Sequence, residues 1–202
     1  MAFSFFFRDL PTLETSVKTM VANTLGRSRI RVWVAGCAKG QEAFTLAILL
    51  AERMGYFGFQ NLRIEATDIE KDFGEIVNRG IYHISDLDRI PAEYFKKYFQ
   101  PADQPEYFQV IDSLRQRITF THHDLLALCP IAEALSLIVC KNVLLHFQPA
   151  ERVDVFRMFH KALAPDAVLA NENTQKLPPE VSGLFRQISN ESQVYQKVEI
   201  PS

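Results

Sequence analysis

The residues of this chain that could do chemistry sit at the breaks between its apolar runs. Gly36 and Gly40 flank Cys37-Ala38-Lys39, just after a β-branched and aromatic run at residues 30–34. Glycines where a strand turns into a helix let backbone N–H groups come close to a ligand. The spacing is not G-x-G-x-x-G, and it is not a P-loop because no Gly-Lys-Ser/Thr follows. What is left is a looser Gly-x-x-x-Gly turn, of the sort that cradles the amino-acid end of S-adenosylmethionine (AdoMet). The same glycines would serve any tight strand–helix turn. Asp68 ends a second run, residues 61–68. A carboxylate there can accept both hydroxyls of an adenosine ribose, or it can cap a helix over residues 69–78. Ser4 and Arg8 are four apart, one helical turn, and could project from one face. The alternative for them is an N-terminal plug with a solvated arginine. His122-His123-Asp124 has the residue types of a metal site. Neighbouring side chains on an extended segment point to opposite sides, so one shared ion is disfavoured and no metal is expected.

The elements that must hold these residues read as an alternating α/β pattern. A helix is expected over residues 12–25, with Leu13, Val17, Met20 and Val21 at helical spacing and Gly26 as its stop. The strand at 30–34 leads through the glycine turn into a helix at 42–54. A short helix at 91–98 precedes a loop at 100–106 that carries Pro101 and Pro105. Residues 107–112 and 116–121 alternate well enough to be two strands of a hairpin, a small β subdomain at about 101–121. The run 135–140 (LSLIVC) is a buried strand, and Gln148-Pro149-Ala150-Glu151 opens a helix. A strand at 167–170 and an edge strand within 189–200, around Val194, Val198 and Ile200, close the chain. The expected architecture is a mostly parallel α/β sheet with helices on both faces and an antiparallel C-terminal edge.

Composition narrows the function classes. A chain of 202 residues, 48% hydrophobic and 23% charged, is most simply one globular domain. A formal charge of -2 gives no electrostatic case for nucleic acid or an anionic membrane. Cys37, Cys129 and Cys140 have no paired spacing, so reduced thiols in the cytoplasm are expected. No apolar run approaches the roughly 20 residues of a membrane span. The opening MAFSFFF lacks a basic n-region and is a poor signal peptide. Phe3, Phe5, Phe6 and Phe7 cannot all face water cheaply, so this segment must dock on the body.

Several of these motifs, in this order, resemble the CheR-type chemoreceptor glutamate O-methyltransferases, a family of AdoMet-dependent enzymes with a Rossmann-like fold. Phe5-Phe6-Phe7-Arg8-Asp9 is similar to the family's Phe-Phe-Arg segment. The stretch from Ala35 through Glu42 looks like its glycine loop, which is usually followed by two glutamates. Ala66-Thr67-Asp68-Ile69 and Arg79-Gly80-Ile81-Tyr82 are close to its strand-two and downstream signatures. Cys140-Lys141-Asn142-Val143 with His146-Phe147 corresponds to its Cys-Arg-Asn-Val and Tyr-Phe.

By that resemblance, residues 1–26 form an N-terminal helical segment and 27–202 the methyltransferase domain. Glu42 and Asp68 bind AdoMet, with Asp68 on the ribose. Gly36 and Gly40 belong to the cofactor loop, and Asn142 and Val143 lie by the methionine end. Asp124 and Leu125 fall where the family has Asn-Leu beside the adenine. Ser4 takes a threonine's place, and Arg8 that of an arginine near the methyl-transfer centre. The implied partner is a protein acceptor such as a chemoreceptor. The sequence differs from the pattern at Gln41, for a glutamate, at Lys141, for an arginine, and at His146, for a tyrosine near the sulfonium. Asn171-Glu172-Asn173-Thr174-Gln175 does not reproduce a Gly-His-Ser-Glu stretch. The chain starts almost at the Phe-Phe-Arg segment, so the family's helical receptor-engaging domain is expected to be lacking. Two readings follow: an active methyltransferase on a protein carboxylate, with Arg8 and His146 at the reacting centre, or a weakened relative that binds AdoMet or S-adenosylhomocysteine as a sensory or interaction module. A nucleotide-binding oxidoreductase is disfavoured by the missing G-x-G-x-x-G.

Overall fold

The computed structural model describes residues 4–199. In chain order the regular elements are α1 (Leu10–Asn23), β1 (Ile30–Ala35), α2 (Gln41–Gln60), β2 (Leu62–Asp68), α3 (Phe73–Arg79) and β3 (Ile81–His83). Then come α4 (Ala92–Tyr98), β4 (Phe99–Pro101), β5 (Tyr107–Val110), α5 (Asp112–Arg115) and β6 (Ile118–His122). Last are β7 (Leu135–Cys140), α6 (Pro149–Ala162), β8 (Leu163–Asn171), β9 (Phe185–Gln187) and β10 (Val194–Lys197).

Seven strands form one sheet in the order β6-β2-β1-β7-β8-β10-β9. The first five are parallel, and β10 runs antiparallel to both β8 and β9. A sheet covered on both faces needs strands that are largely apolar, which is why IRVWVA and LSLIVC are interrupted only by Arg31 and Ser136. Within β1, Val32 and Val34 face a core shared with α1 and α2, while Trp33 and Ala35 face a core shared with α6. The Trp33 ring meets Phe159 edge-on at 5.3 Å, and its indole N–H donates to Thr67 Oγ1 at 2.8 Å. The helix α6 starts with a reciprocal cap, Gln148 and Glu151 each satisfying the other's backbone.

The expected hairpin at 101–121 is not formed. Its first strand, β5, lies in a separate antiparallel sheet between β3 and β4, while the second, β6, joins β2 in the main sheet. The turn of α5 buries Leu114 between them and redirects the chain. The small subdomain is therefore built from β3, β4 and β5 and begins earlier than expected. Its Tyr82 is buried and donates to Lys39 O at 2.7 Å, which ties it to the glycine loop.

Other boundaries moved for local reasons. The helix α2 runs past residue 54, but Gly55 (φ 68, ψ 172) breaks it into two pieces. The helix α3 starts at Phe73 with Asp72 at its N-cap position, so Asp68 does not cap it. The C-terminal strand β10 is flanked by β9, so β9 is the outermost strand. Phe3 and Ile200 lie outside the described residues. Among the described residues no helix is long and apolar enough to cross a membrane.

Candidate active site

At the C-terminal ends of β1 and β2 the backbone itself builds a wall. Gly36 N and Cys37 N both donate to Thr67 O at 2.8 Å, locking the loop after β1 onto β2. Asp68 extends this lock. Its Oδ2 accepts from Ala38 N at 2.8 Å and its Oδ1 from Glu70 N at 3.0 Å. Each carboxylate oxygen has a second lone pair left for a ligand hydroxyl. Gly36 has φ 82, and a Cβ there would lie 2.1 Å from Val143 Cγ2, so a side chain is excluded. Burial and the neighbouring Asp68 push the Cys37 thiol far up, which leaves it unreactive.

The opposite wall is irregular. Residues 4–9 cross the sheet top with Phe6 fully buried, edge-on to Tyr82 at 5.0 Å and Phe99 at 5.7 Å. Phe7 N donates to Thr45 Oγ1 at 3.0 Å. The N-terminal aromatic segment therefore docks, and it carries Arg8, whose guanidinium lies 5.5 Å from the Phe5 ring centroid. After β7 the chain turns through Asn142 at φ 59, and its N–H donates to Glu172 Oε2 at 2.5 Å. The other oxygen, Glu172 Oε1, is buried without a hydrogen-bond partner among the described residues. Burial pushes the Glu172 carboxyl above the usual carboxylate range, against the pull of the Asn142 N–H, Arg152 and His146. A short 3-10 turn, Leu144–His146, then brings His146 to the rim, where it is exposed.

Between these walls lies a cavity of about 510 Å³. Ser4, Arg8, Gly36, Glu42, Asp68, Asp124, Leu125, Asn142, Val143 and His146 all line it. Arg8 and His146, far apart in sequence, thus reach one site. Gly40 does not line it. Its φ is 91, and a Cβ there would sit 3.0 Å from Val77 Cγ2 and 3.1 Å from the Tyr82 hydroxyl. This glycine serves the turn into α2 and its packing. Asp124 accepts from Leu126 N at 2.9 Å and so caps the turn that presents Leu125.

Sequence reasoning gave no site role to several groups. Thr67, Ile69, Leu126 and Phe147 also line the cavity, as does Lys141, whose side chain is only 1% exposed. Lys141 Nζ lies 3.0 Å from Glu42 Oε2. A charged residue inside an apolar strand-loop junction was the available signal. His122 and His123 go separate ways: His122 Nε2 is 2.9 Å from Ile69 O, and His123 Nε2 is 2.8 Å from Cys129 O. His123 also packs edge-on against Trp33 at 5.5 Å.

A cavity of this size, with acids at two strand ends and apolar side chains around Leu125, is the form of a nucleoside-type cofactor site. The comparisons decide which. The family model described as CheR methyltransferase, SAM binding domain, matches residues 3–194. The chain belongs to this family. Its cofactor is AdoMet, and the donor set fits it: Asp68 retains capacity for hydroxyls, and Glu42 offers a carboxylate to an ammonium group. Among relatives, "Chemotaxis protein methyltransferase 2" of Vibrio cholerae is 27% identical over 188 residues, 90% of this chain and 64% of that one. "Chemotaxis protein methyltransferase" of Borreliella burgdorferi is 31% identical over 144 residues, 70% of this chain and 50% of that one. A "104.1 kDa protein in hypE 3'region" of Rhodobacter capsulatus is 31% identical over 163 residues, covering 78% of this chain but 17% of its own length. The chain thus spans less than two thirds of each of these three relatives.

Proposed function

We propose that this domain is an AdoMet-dependent methyltransferase acting on glutamate carboxylates of a signalling protein, a chemoreceptor-like acceptor. The observation that carries this reading is the meeting of Arg8 and His146 on the cavity that Asp68 and Glu42 also line. Two merely structural groups so far apart in sequence need not meet at one solvent-accessible mouth.

AdoMet supplies an electrophilic methyl group: its S–CH₃ bond breaks as an O–CH₃ bond forms, leaving a thioether and a methyl ester. A glutamate side chain is already ionised at neutral pH, its reference pKa being about 4.3, so no residue has to take a proton. The work left for the protein is alignment and exclusion of water. Asp68 would accept the ribose hydroxyls, and Glu42 would meet the ammonium. Asn142 and Val143 would flank the methionine end, with Gly36 allowing the close approach of Val143. Asp124 and Leu125 would flank the adenine. Arg8 would hold the acceptor carboxylate by its planar fork and aim one oxygen at the methyl group. His146 would donate a hydrogen bond at the rim, and Ser4 would close the near side.

The test is calorimetry with AdoMet and S-adenosylhomocysteine, followed by transfer of labelled methyl groups to receptor fragments. The expected result is one saturable site and a base-labile methyl ester on the acceptor. Binding without transfer to any carboxylate would replace this reading with that of a sensory or interaction module.

A further inference from the structure

We infer that Lys141 is a positioning residue for methyl transfer: one buried ammonium ties the main chain of Arg8 to the Glu42 carboxylate and so sets the acceptor wall against the cofactor wall. The inference rests on the reaction proposed above. Lys141 Nζ is 3.1 Å from Arg8 O, 3.0 Å from Glu42 Oε2 and 3.6 Å from Asp9 Oδ2. An ammonium has three N–H groups, and one buried this deeply must find partners for them. Here the partners come from two different walls of the cavity.

The segment that carries Arg8 needs such a tie. Phe7 (φ 58) and Asp9 (φ 52) are non-glycine residues in the left-handed region, a conformation that persists only when the surroundings impose it. Phe6 anchors one side of Arg8 by burial. On the other side, Asp9 Oδ1 accepts from Thr12 Oγ1 and from Asn173 Nδ2, both at 3.0 Å. Asn173 Oδ1 accepts in turn from Gln193 N at 3.2 Å. Lys141 is where this polar chain reaches the cavity and touches Glu42. Arg8 therefore owes the position of its main chain to a cation that the cofactor-side acid also holds.

A purely structural ion cluster would make a different prediction. Its loss would loosen the fold generally, and would weaken cofactor binding and turnover together. Loss of a positioning contact loosens the Arg8 segment alone and acts on kcat. The experiment compares the full chain with Lys141→Met, Lys141→Arg and Asp9→Asn. Amide hydrogen exchange is read by peptide, S-adenosylhomocysteine affinity by calorimetry, and turnover on receptor fragments. In Lys141→Met, residues 5–10 should exchange about tenfold faster or more, with β1 and β7 unchanged. Because Glu42 also loses a partner, affinity should change somewhat, but by clearly less than kcat, which should fall about tenfold to a hundredfold. Lys141→Arg should keep protection and turnover near those of the original chain. Asp9→Asn, at a site 21% exposed, should move exchange in the same direction by less, and it decides the matter if Lys141→Met does not fold. The inference is overturned by unchanged exchange at residues 5–10, by equal acceleration across the sheet, by proportional losses of affinity and kcat, or by a loosened segment with normal turnover. Exchange needs no turnover. A chain that binds AdoMet but transfers nothing defeats the proposed reaction, and faster exchange at residues 5–10 would still show the tie.

Discussion

The two walls of the cavity are made from different materials. The wall on β1 and β2 is fixed by main-chain hydrogen bonds between parallel strands, with Asp68 bonded to two further amides. The wall made by residues 4–9 and 141–147 has left-handed Phe7, Asp9 and Asn142, and leans on the buried charges of Lys141 and Glu172. Main-chain bonds survive most side-chain changes, whereas buried ionic contacts do not. The first wall therefore suits a constant ligand, the cofactor. The second is where turnover and acceptor choice can be tuned by single substitutions.

The largest break comes where the walls touch. Gly36→Val puts a side chain on a left-handed residue and into Val143, at costs of about 1–2 kcal/mol for the conformation and about 1–3 kcal/mol for overpacking. Calorimetry should find AdoMet binding lost, and the thermal midpoint should fall. A variant that binds normally would show that Gly36 serves only the turn. Next is Asp68→Ala, on the first wall alone. It should weaken AdoMet by about 2–3 kcal/mol, as for charge-assisted hydrogen bonds, with the circular dichroism spectrum preserved.

Changes in the second wall should be smaller for binding and more selective. Burial holds the Glu172 carboxyl above its unfolded value, so its ionisation opposes folding. For a raised carboxylate, the associated stability is fully present below the unfolded pKa and is lost as pH rises through the folded one. Glu172→Gln keeps an acceptor for Asn142 N without that ionisation. Its Tm should gain on the original chain as pH rises from about 4 to 7, from the carboxylate reference near 4.3 upward. A difference independent of pH would mean that Glu172 does not titrate in that window. The smallest effect is expected for His146→Tyr at the exposed rim. It should leave AdoMet affinity within about twofold and move turnover by less than about tenfold.

Much of the first wall was legible in the sequence because its determinants are local. The runs at β1 and β7 are largely apolar on both faces, Gly36 follows β1, and Asp68 ends β2. Gly36 and Gly40 looked alike, yet only Gly36 lines the cavity. Which way a glycine's missing Cβ would point depends on Val77, Tyr82 and Val143, all distant in sequence. The hairpin failed for a similar reason. Alternation at β5 and β6 announces two strands but not which sheet each joins, and the turn of α5 separates them. Lys141 and Glu172 carried no periodic signal at all. Their roles arise from Asp9, Glu42 and Asn142, which only the fold brings together.

The central claim is that Arg8 acts on the acceptor and not on the cofactor, and one measurement tests it most directly. Arg8→Ala and the original chain are compared for labelled methyl transfer to a receptor fragment and for AdoMet affinity by calorimetry. The account predicts kcat lower by about tenfold to a hundredfold or more, with affinity within about threefold, because alignment acts in the transition state. Equal losses of affinity and turnover, or turnover unchanged, would contradict it.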